Sequence, residues 1–266
     1  DVVRSRGLGD VYKRQTLGDK IAGWIREYAE SNGISTLVVG VSGGVDSAVT
    51  STLCAMTGIK TIALNLPINQ DLDQFDLSNA HISWLEDKWE NAEGRLIDLS
   101  ATFRALADDS LSEFSVTDMA LANTKARLRM TTLYAISASN NGIVVGTGNK
   151  VEDFGVGFYT KYGDGGVDIS PIADLMKSEV YQLGHELGVH KDILESSPTD
   201  GLWEDGRTDE DQIGATYEEL EWAMEQSSST GDMDWTPRQI EVMRIFNKFN
   251  AQNSHKMNPI PVYINS

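Results

Sequence analysis

Residues 36–58 constrain the fold more than any other part of the chain. An apolar run, TLVVGV (36–41), leads directly into Ser42-Gly43-Gly44-Val45-Asp46-Ser47 and an apolar helical stretch over 46–57 that stops at Gly58. A buried strand that enters a helix through a two-glycine turn has to return by a right-handed crossover, which sets the next strand parallel to the first. The alternation continues. Strands are predicted at 61–66, 95–99 and 143–145, and helices at 72–89, 118–139, 177–187 and 236–250. An amphipathic helix over 17–31 carries Ile21, Trp24, Ile25 and Tyr28 on one face ahead of the first strand. The pattern predicts an α/β fold, a doubly wound parallel sheet with helices on both faces and ligands at the carboxyl ends of its strands.

Domain count and chemistry are bounded by composition. The 266 residues fit one large domain or two small ones. Residues 1–15 (DVVRSRGLGDVYKRQ) show neither helical nor strand period and resemble translated sequencing-adapter DNA, so they are expected to be a non-native leader and 16–266 a single domain. A single cysteine, Cys54, excludes an intrachain disulfide and argues against a zinc cluster. Lacking a secretory signal pattern and any apolar run long enough to span a membrane, the chain is expected to be cytoplasmic, with no membrane partner. The net charge of −18 argues against nucleic acid as a partner. Twelve of the acids fall between Asp200 and Asp234, where Arg207 is the single base.

At 42–47 the first N–H groups of a helix are exposed, and the helix dipole favours an anion there. Gly43 and Gly44 let the backbone approach phosphate oxygens, and Ser42 and Ser47 add hydroxyl donors. The loop lacks the Gly-Lys-Ser/Thr ending of the common ATPase loop. Asp46 would repel bare phosphate, and makes sense where Mg²⁺ stands between the two.

SGGxDS after the first strand resembles the pyrophosphate loop of the ATP pyrophosphatases, whose fold is Rossmann-like. Within them, Gly146-Thr147-Gly148-Asn149-Lys150-Val151-Glu152, then 158–168 (FYTKYGDGGVD), Pro171 and Lys177 resemble the NAD synthetase family of ammonia-dependent type, over about 17–262. The resemblance implies a C–N ligase for the last step of NAD biosynthesis. It would amidate nicotinic acid adenine dinucleotide (deamido-NAD) with ammonia through an acyl-adenylate, giving NAD, AMP and pyrophosphate. It implies ATP as co-substrate, Mg²⁺, and a homodimer. Carried over residue by residue, Gly40, Val41, Ser42, Gly43, Gly44, Val45, Asp46, Ser47, Thr147, Lys177 and Thr199 would bind ATP, with Asp46 and Lys177 catalytic. Arg127, Lys161, Asp168, His255 and Lys256 would contact deamido-NAD, the last two from a tail-like segment. The metal would take Asp46 and Glu152.

One departure affects that ligand set. Seven residues separate Glu152 from Thr160, one more than the family spacing, so that counting back from Thr160 selects Asp153 instead. Glu152 is preferred because Gly155 and Gly157 can absorb the extra residue. The stretch after Thr199, with few apolar residues ahead of Ile213 and Tyr217, is expected to close over bound phosphates. The rival readings are another adenylating enzyme with the same first loop and a nucleotide-binding module without turnover. Asp46, Glu152 and Lys177 together argue against the second.

Overall fold

In the computed structural model, which describes residues 16–70, 72–199, 201–203, 207–227 and 234–265, the strand–turn–helix forms as predicted. Strand β1 is Thr36–Gly40 and helix α2 is Val45–Met56, preceded by α1 at Leu17–Ser31. β2 (Lys60–Asn65), β3 (Ala92–Leu96) and β4 (Gly142–Val144) complete a parallel sheet in the order β3-β2-β1-β4. The order reverses between β1 and β4, and the crevice beyond their carboxyl ends is the switch point where doubly wound sheets bind ligands. The leader assigned to residues 1–15 lies outside the described residues.

Alternation along β1 covers both faces of the sheet. Leu37 packs into a cluster with α1 and α2, including Ile25, Val49 and Leu53. Val38 points the other way, toward Met130 and Leu133 of the long helix α5 (Asp118–Ser139). Val39 joins Ile82 and Leu85 of α3 (Leu72–Lys88). All three β1 residues are fully buried, as strands covered on both faces must be.

Two predicted boundaries shift. The strand expected at 95–99 is β3 at Ala92–Leu96, paired with β2 from Thr61↔Ala92 to Asn65↔Leu96. β3 is an edge strand whose Glu93 and Arg95 form an ion pair at its surface, so its apolar pattern is weak. Hydrogen bonds from the amides of Ile97 and Leu99 to the carbonyls of Asn65 and Pro67 carry the pairing into the predicted range. The last helix, expected over 236–250, is α10 at Pro237–Met257. His255 and Lys256 therefore sit on a helix and not in a tail-like segment, where the Lys256 ammonium suits the helix C-terminus. Between them the chain adds the short helices α4 (Ser100–Arg104), α7 (Lys191–Glu195) and α8 (Asp209–Ile213), together with α6 (Lys177–Leu187) and α9 (Tyr217–Gln226). α9, α10 and a π-helical turn at Val151–Val156 share a core of their own, with Leu220, Val242 and Phe246 buried against Val151 and Val156.

Helix α3 and the residue Gln70 ahead of it brace the loop after β1 from one side. Ser78 donates to the Val41 carbonyl at 2.7 Å, and Gln70 donates to the Ser42 carbonyl at 3.2 Å. Gly43 has φ +92°, and a Cβ there would lie 2.6 Å from the Gln74 carbonyl, so glycine is required by both backbone angle and space. Deeper in the same contact, His81 Nε2 lies 3.0 Å from Ser51 Oγ.

Burial lowers the His81 pKa from 6.5 to about 4, against an opposing hydrogen bond with the Ala48 backbone. Because the folded-state value is the depressed one, the unfolded chain takes the proton first as pH falls through 6.5. Stability is expected to drop between pH 6.5 and pH 4 by on the order of 2–3 kcal/mol from this group. His81→Gln, which does not titrate, should flatten that limb in urea unfolding measured at pH 4.5 and pH 7.5.

Candidate active site

A cavity of about 590 Å³ opens at the switch point. Its floor is the loop after β1, where Gly40, Val41, Ser42, Gly44, Val45, Asp46 and Ser47 line it. Ser47 Oγ donates to the Gly44 carbonyl at 2.9 Å and accepts the Ser42 N–H at 3.1 Å, which fixes the turn and leaves helix-start amides toward the cavity. The second wall is the segment after β4, contributing Gly146, Thr147 and Gly148. Gly148 is forced: a Cβ there would overlap the Asp153 carboxylate.

Between these walls lies a buried ion cluster. Lys177, the first residue of α6, places Nζ 2.5 Å from Asp46 Oδ2 and 3.1 Å from Glu152 Oε1. Its side chain is 4% exposed and those of its partners 16%. Burial works against the ammonium, but the Asp46 and Glu152 carboxylates outweigh it and hold the Lys177 amine above the usual lysine range. Asn149 Nδ2 donates to Asp46 Oδ1 at 3.3 Å. Tyr217 donates its hydroxyl to Glu152 Oε1 at 2.5 Å and to Asp209 Oδ2 at 3.1 Å, and its ring centroid lies 4.6 Å from Lys177 Nζ. Burial first, and then the Glu152 and Asp209 charges, raise the Tyr217 phenol well above its ordinary value, so it remains a donor.

Of the two acids left open by the spacing, it is Glu152 that shares Lys177 with Asp46. Asp153 also faces the cavity, beside Gly148, where burial and then the charges of Glu152, Asp164 and Asp46 raise its carboxyl to about 7. The π-helical turn places both acids side by side on the cavity wall. Among the described residues no group of three or more His, Cys, Asp or Glu side chains is arranged to hold a metal. Two neighbouring carboxylates do fit Mg²⁺, which is bound through one or two carboxylates plus substrate phosphates and keeps several waters.

The remaining predicted residues divide. Thr199 and Lys256 line the cavity. Lys256 Nζ donates to the carbonyls of Gly157 and Tyr159 at 2.9 and 2.7 Å. Arg127, Lys161, Asp168 and His255 do not line it. Arg127 is exposed and donates to the Lys161 carbonyl at 3.2 Å; Lys161 Nζ donates to the His255 carbonyl at 2.7 Å. Asp168 accepts the Tyr134 hydroxyl at 3.0 Å and the Val144 N–H at 2.7 Å. Tyr134 and Tyr162 line a shallow groove beside the cavity, so these four residues gather along its outer margin. Of the stretch expected to close over phosphates, residues 200 and 204–206 lie outside the described residues. Leu202 and Trp203 are half-buried and line the cavity, and Lys125 Nζ donates to the Leu202 carbonyl at 2.9 Å.

Sequence reasoning missed Tyr217, Asp209, Asn149 and Arg129. Tyr217 is visible in sequence as an apolar anchor, with nothing to say that its hydroxyl meets an acid 65 positions away. Arg129 shares a polar helix with Arg127, but it is the former that lines the cavity, donating to the Leu66 carbonyl at 3.0 Å.

The four-stranded parallel sheet with helices on both faces and a cavity at its switch point is the Rossmann-like architecture of the ATP pyrophosphatase class. Within that class the model of the NAD synthase family matches residues 17–259, and the chain belongs to that family, whose members are ligases forming a C–N bond. An NH(3)-dependent NAD(+) synthetase of Alkaliphilus metalliredigens is 41% identical over 214 residues, covering 76% of this chain and 83% of its own. One of Methanosarcina acetivorans is 34% identical, with 92% of this chain and 96% of its own covered. Among solved structures, an NMN synthetase from Francisella tularensis superposes with TM-score 0.81 at 32% identity, covering 92% of this chain and 96% of that one.

Tyr217→Phe is expected to cost about 1–3 kcal/mol, because it strips a donor from two carboxylates it now bridges. Urea unfolding measures the loss.

Proposed function

We propose that the chain amidates deamido-NAD with ammonia, consuming ATP and releasing NAD, AMP and pyrophosphate. The observation that carries this reading is the shared Lys177 between Asp46 and Glu152, in the segments that follow the two strands flanking the switch point, in a chain of the NAD synthase family. A carboxylate is a poor electrophile, so the nicotinate carboxylate first attacks the α-phosphorus and pyrophosphate departs. Negative charge then grows on the leaving phosphates. The helix-start amides of the 42–47 loop and the Lys177 ammonium are placed to stabilise it. Mg²⁺ held by Asp46 and Glu152 would neutralise charge on the phosphate oxygens. Ammonia attacks the acyl carbon and AMP leaves.

None of these steps requires a protein nucleophile. The chain's contribution is positioning and electrostatics, with Thr147 and Thr199 on the ATP side of the cavity. Arg127, Lys161, Asp168 and His255, on the outer margin, and Lys256, which reaches the cavity, are assigned to the dinucleotide. The family resemblance supports a homodimer. No described helix is long and apolar enough to cross a membrane, and the free, buried Cys54 suits a reducing cytoplasm.

A second reading replaces the dinucleotide by the corresponding mononucleotide acid. It is favoured by the fit to the Francisella tularensis NMN synthetase and by the position of four dinucleotide-assigned residues outside the cavity. The ratio of kcat/KM for the two acids decides between them.

Asp46→Asn is expected to lower kcat by about 100-fold or more, with the far-ultraviolet circular dichroism unchanged. Glu152→Gln should follow it, and Asp153→Asn should lose less. Pyrophosphate release supported equally by ammonium and by glutamine, at equal concentration, would rule out the ammonia-dependent assignment.

A further inference from the structure

The Lys177 ammonium occupies the very oxygens that the proposed metal would need. Asp46 Oδ2 and Glu152 Oε1 are its two acceptors, at 2.5 and 3.1 Å. A Mg²⁺ ion bonds oxygen at about 2.0–2.1 Å. An ion on these two oxygens would set a second cation beside the ammonium, on carboxylates that are largely buried. The ammonium and a metal on these oxygens compete for the same two carboxylates.

The surroundings hold the ammonium in this place. Its helix start is tied down from both sides, with Glu179 accepting the Met176 N–H at 2.8 Å and Glu221 of α9 accepting both the N–H and the hydroxyl of Ser178 at 2.8 Å. The Tyr217 ring lies beneath Nζ, and its hydroxyl fixes the rotamer of Glu152. The backbone is thus anchored, and the side chain alone is left to move. The phosphate loop lines the same cavity as Lys177, so an arriving triphosphate offers the ammonium a new set of anionic oxygens. It also brings the additional oxygen ligands that a two-carboxylate Mg²⁺ site lacks.

We propose that Lys177 is a built-in cation that occupies the metal's carboxylates in the nucleotide-free protein, so that a divalent ion enters only together with a triphosphate that draws the ammonium away. The proposal rests on the reading of Asp46 and Glu152 as the metal's ligands. It makes Lys177 a gate on the order of binding as well as a phosphate contact. It also keeps the buried carboxylates paired at every stage, first by the ammonium and then by the metal.

The test reads metal binding without turnover. Mn²⁺ binding is followed by electron paramagnetic resonance, and Mg²⁺ binding by thermal unfolding, each without nucleotide and with a non-hydrolysable ATP analogue. The parent protein should bind Mn²⁺ weakly alone and at least tenfold more tightly with the analogue. Lys177→Met should bind Mn²⁺ alone at least tenfold more tightly than the parent, and Mg²⁺ alone should raise its Tm by several degrees. Lys177→Gln, neutral and still able to hydrogen-bond, should behave in the same way and serves if the methionine variant does not fold. Parent-like weak binding of Mn²⁺ alone by the neutral variants would overturn the proposal, as would tight binding by the parent without nucleotide. Adding Asp46→Asn or Glu152→Gln separates the two layers. If neither changes Mn²⁺ binding to the parent with the analogue, the ligand reading itself falls; if both weaken it while Lys177 variants have no effect, only the gate falls.

Discussion

The ion cluster of Lys177, Asp46 and Glu152 is the interaction on which the rest of the site depends. It joins the first turn of α2, the turn after β4 and the start of α6, segments separated by up to 131 positions in the chain. Such a cluster is a poor source of net stability, because desolvating three charges offsets most of their attraction. Its value is geometric. It pins the first turn of α2 to the opposite wall of the crevice, and loss of Lys177 would leave two buried carboxylates without their shared cation. Tyr217, Asn149 and Asp209 complete it by supplying donors and charge around the carboxylates.

The sheet order explains why the cluster can form at all. With β1 and β4 adjacent and their connections leaving in opposite directions, a crevice opens beyond their carboxyl ends. The α2 helix start points its amides into that gap from one side, and the Gly146 to Glu152 segment enters from the other. The third core, built from α9, α10 and the π-helical turn, backs the Glu152 wall and brings Lys256 to the cavity. In a chain with net charge −18, the local positive potential at the cavity comes from helix amides and a few placed lysines and not from overall charge.

Much of this is legible in the residues themselves. The apolar run at 36–41, the two glycines and the stop at Gly58 dictate a strand, turn and helix whatever surrounds them, since φ +92° at Gly43 and burial on both faces of β1 admit few alternatives. The helices at 17–31 and 118–139 match α1 and α5 residue for residue, because their caps are local: Thr16 and Thr117 accept the amides of Asp19 and Ala120. The motif residues Asp46, Glu152 and Lys177 are likewise visible in order along the chain, but only as a list.

Tertiary structure decided what local signals do not carry. Edge strand β3 took its register from β2, since hydrogen bonding to a neighbour and not its own half-exposed side chains sets its place. That Glu152 and not its neighbour Asp153 meets Lys177 depended on how the π-helical turn presents consecutive residues, which sequence alone does not show. Arg129 entered the cavity and Arg127 did not, because the face α5 turns to the sheet is fixed by packing of Met130 and Leu133 across long range. The sequence by itself determined which segments fold and which chemical groups are available. Only the folded chain determined which of those groups meet, since a buried ion cluster is made by charges brought together from distant segments, and its geometry exists nowhere before they pack.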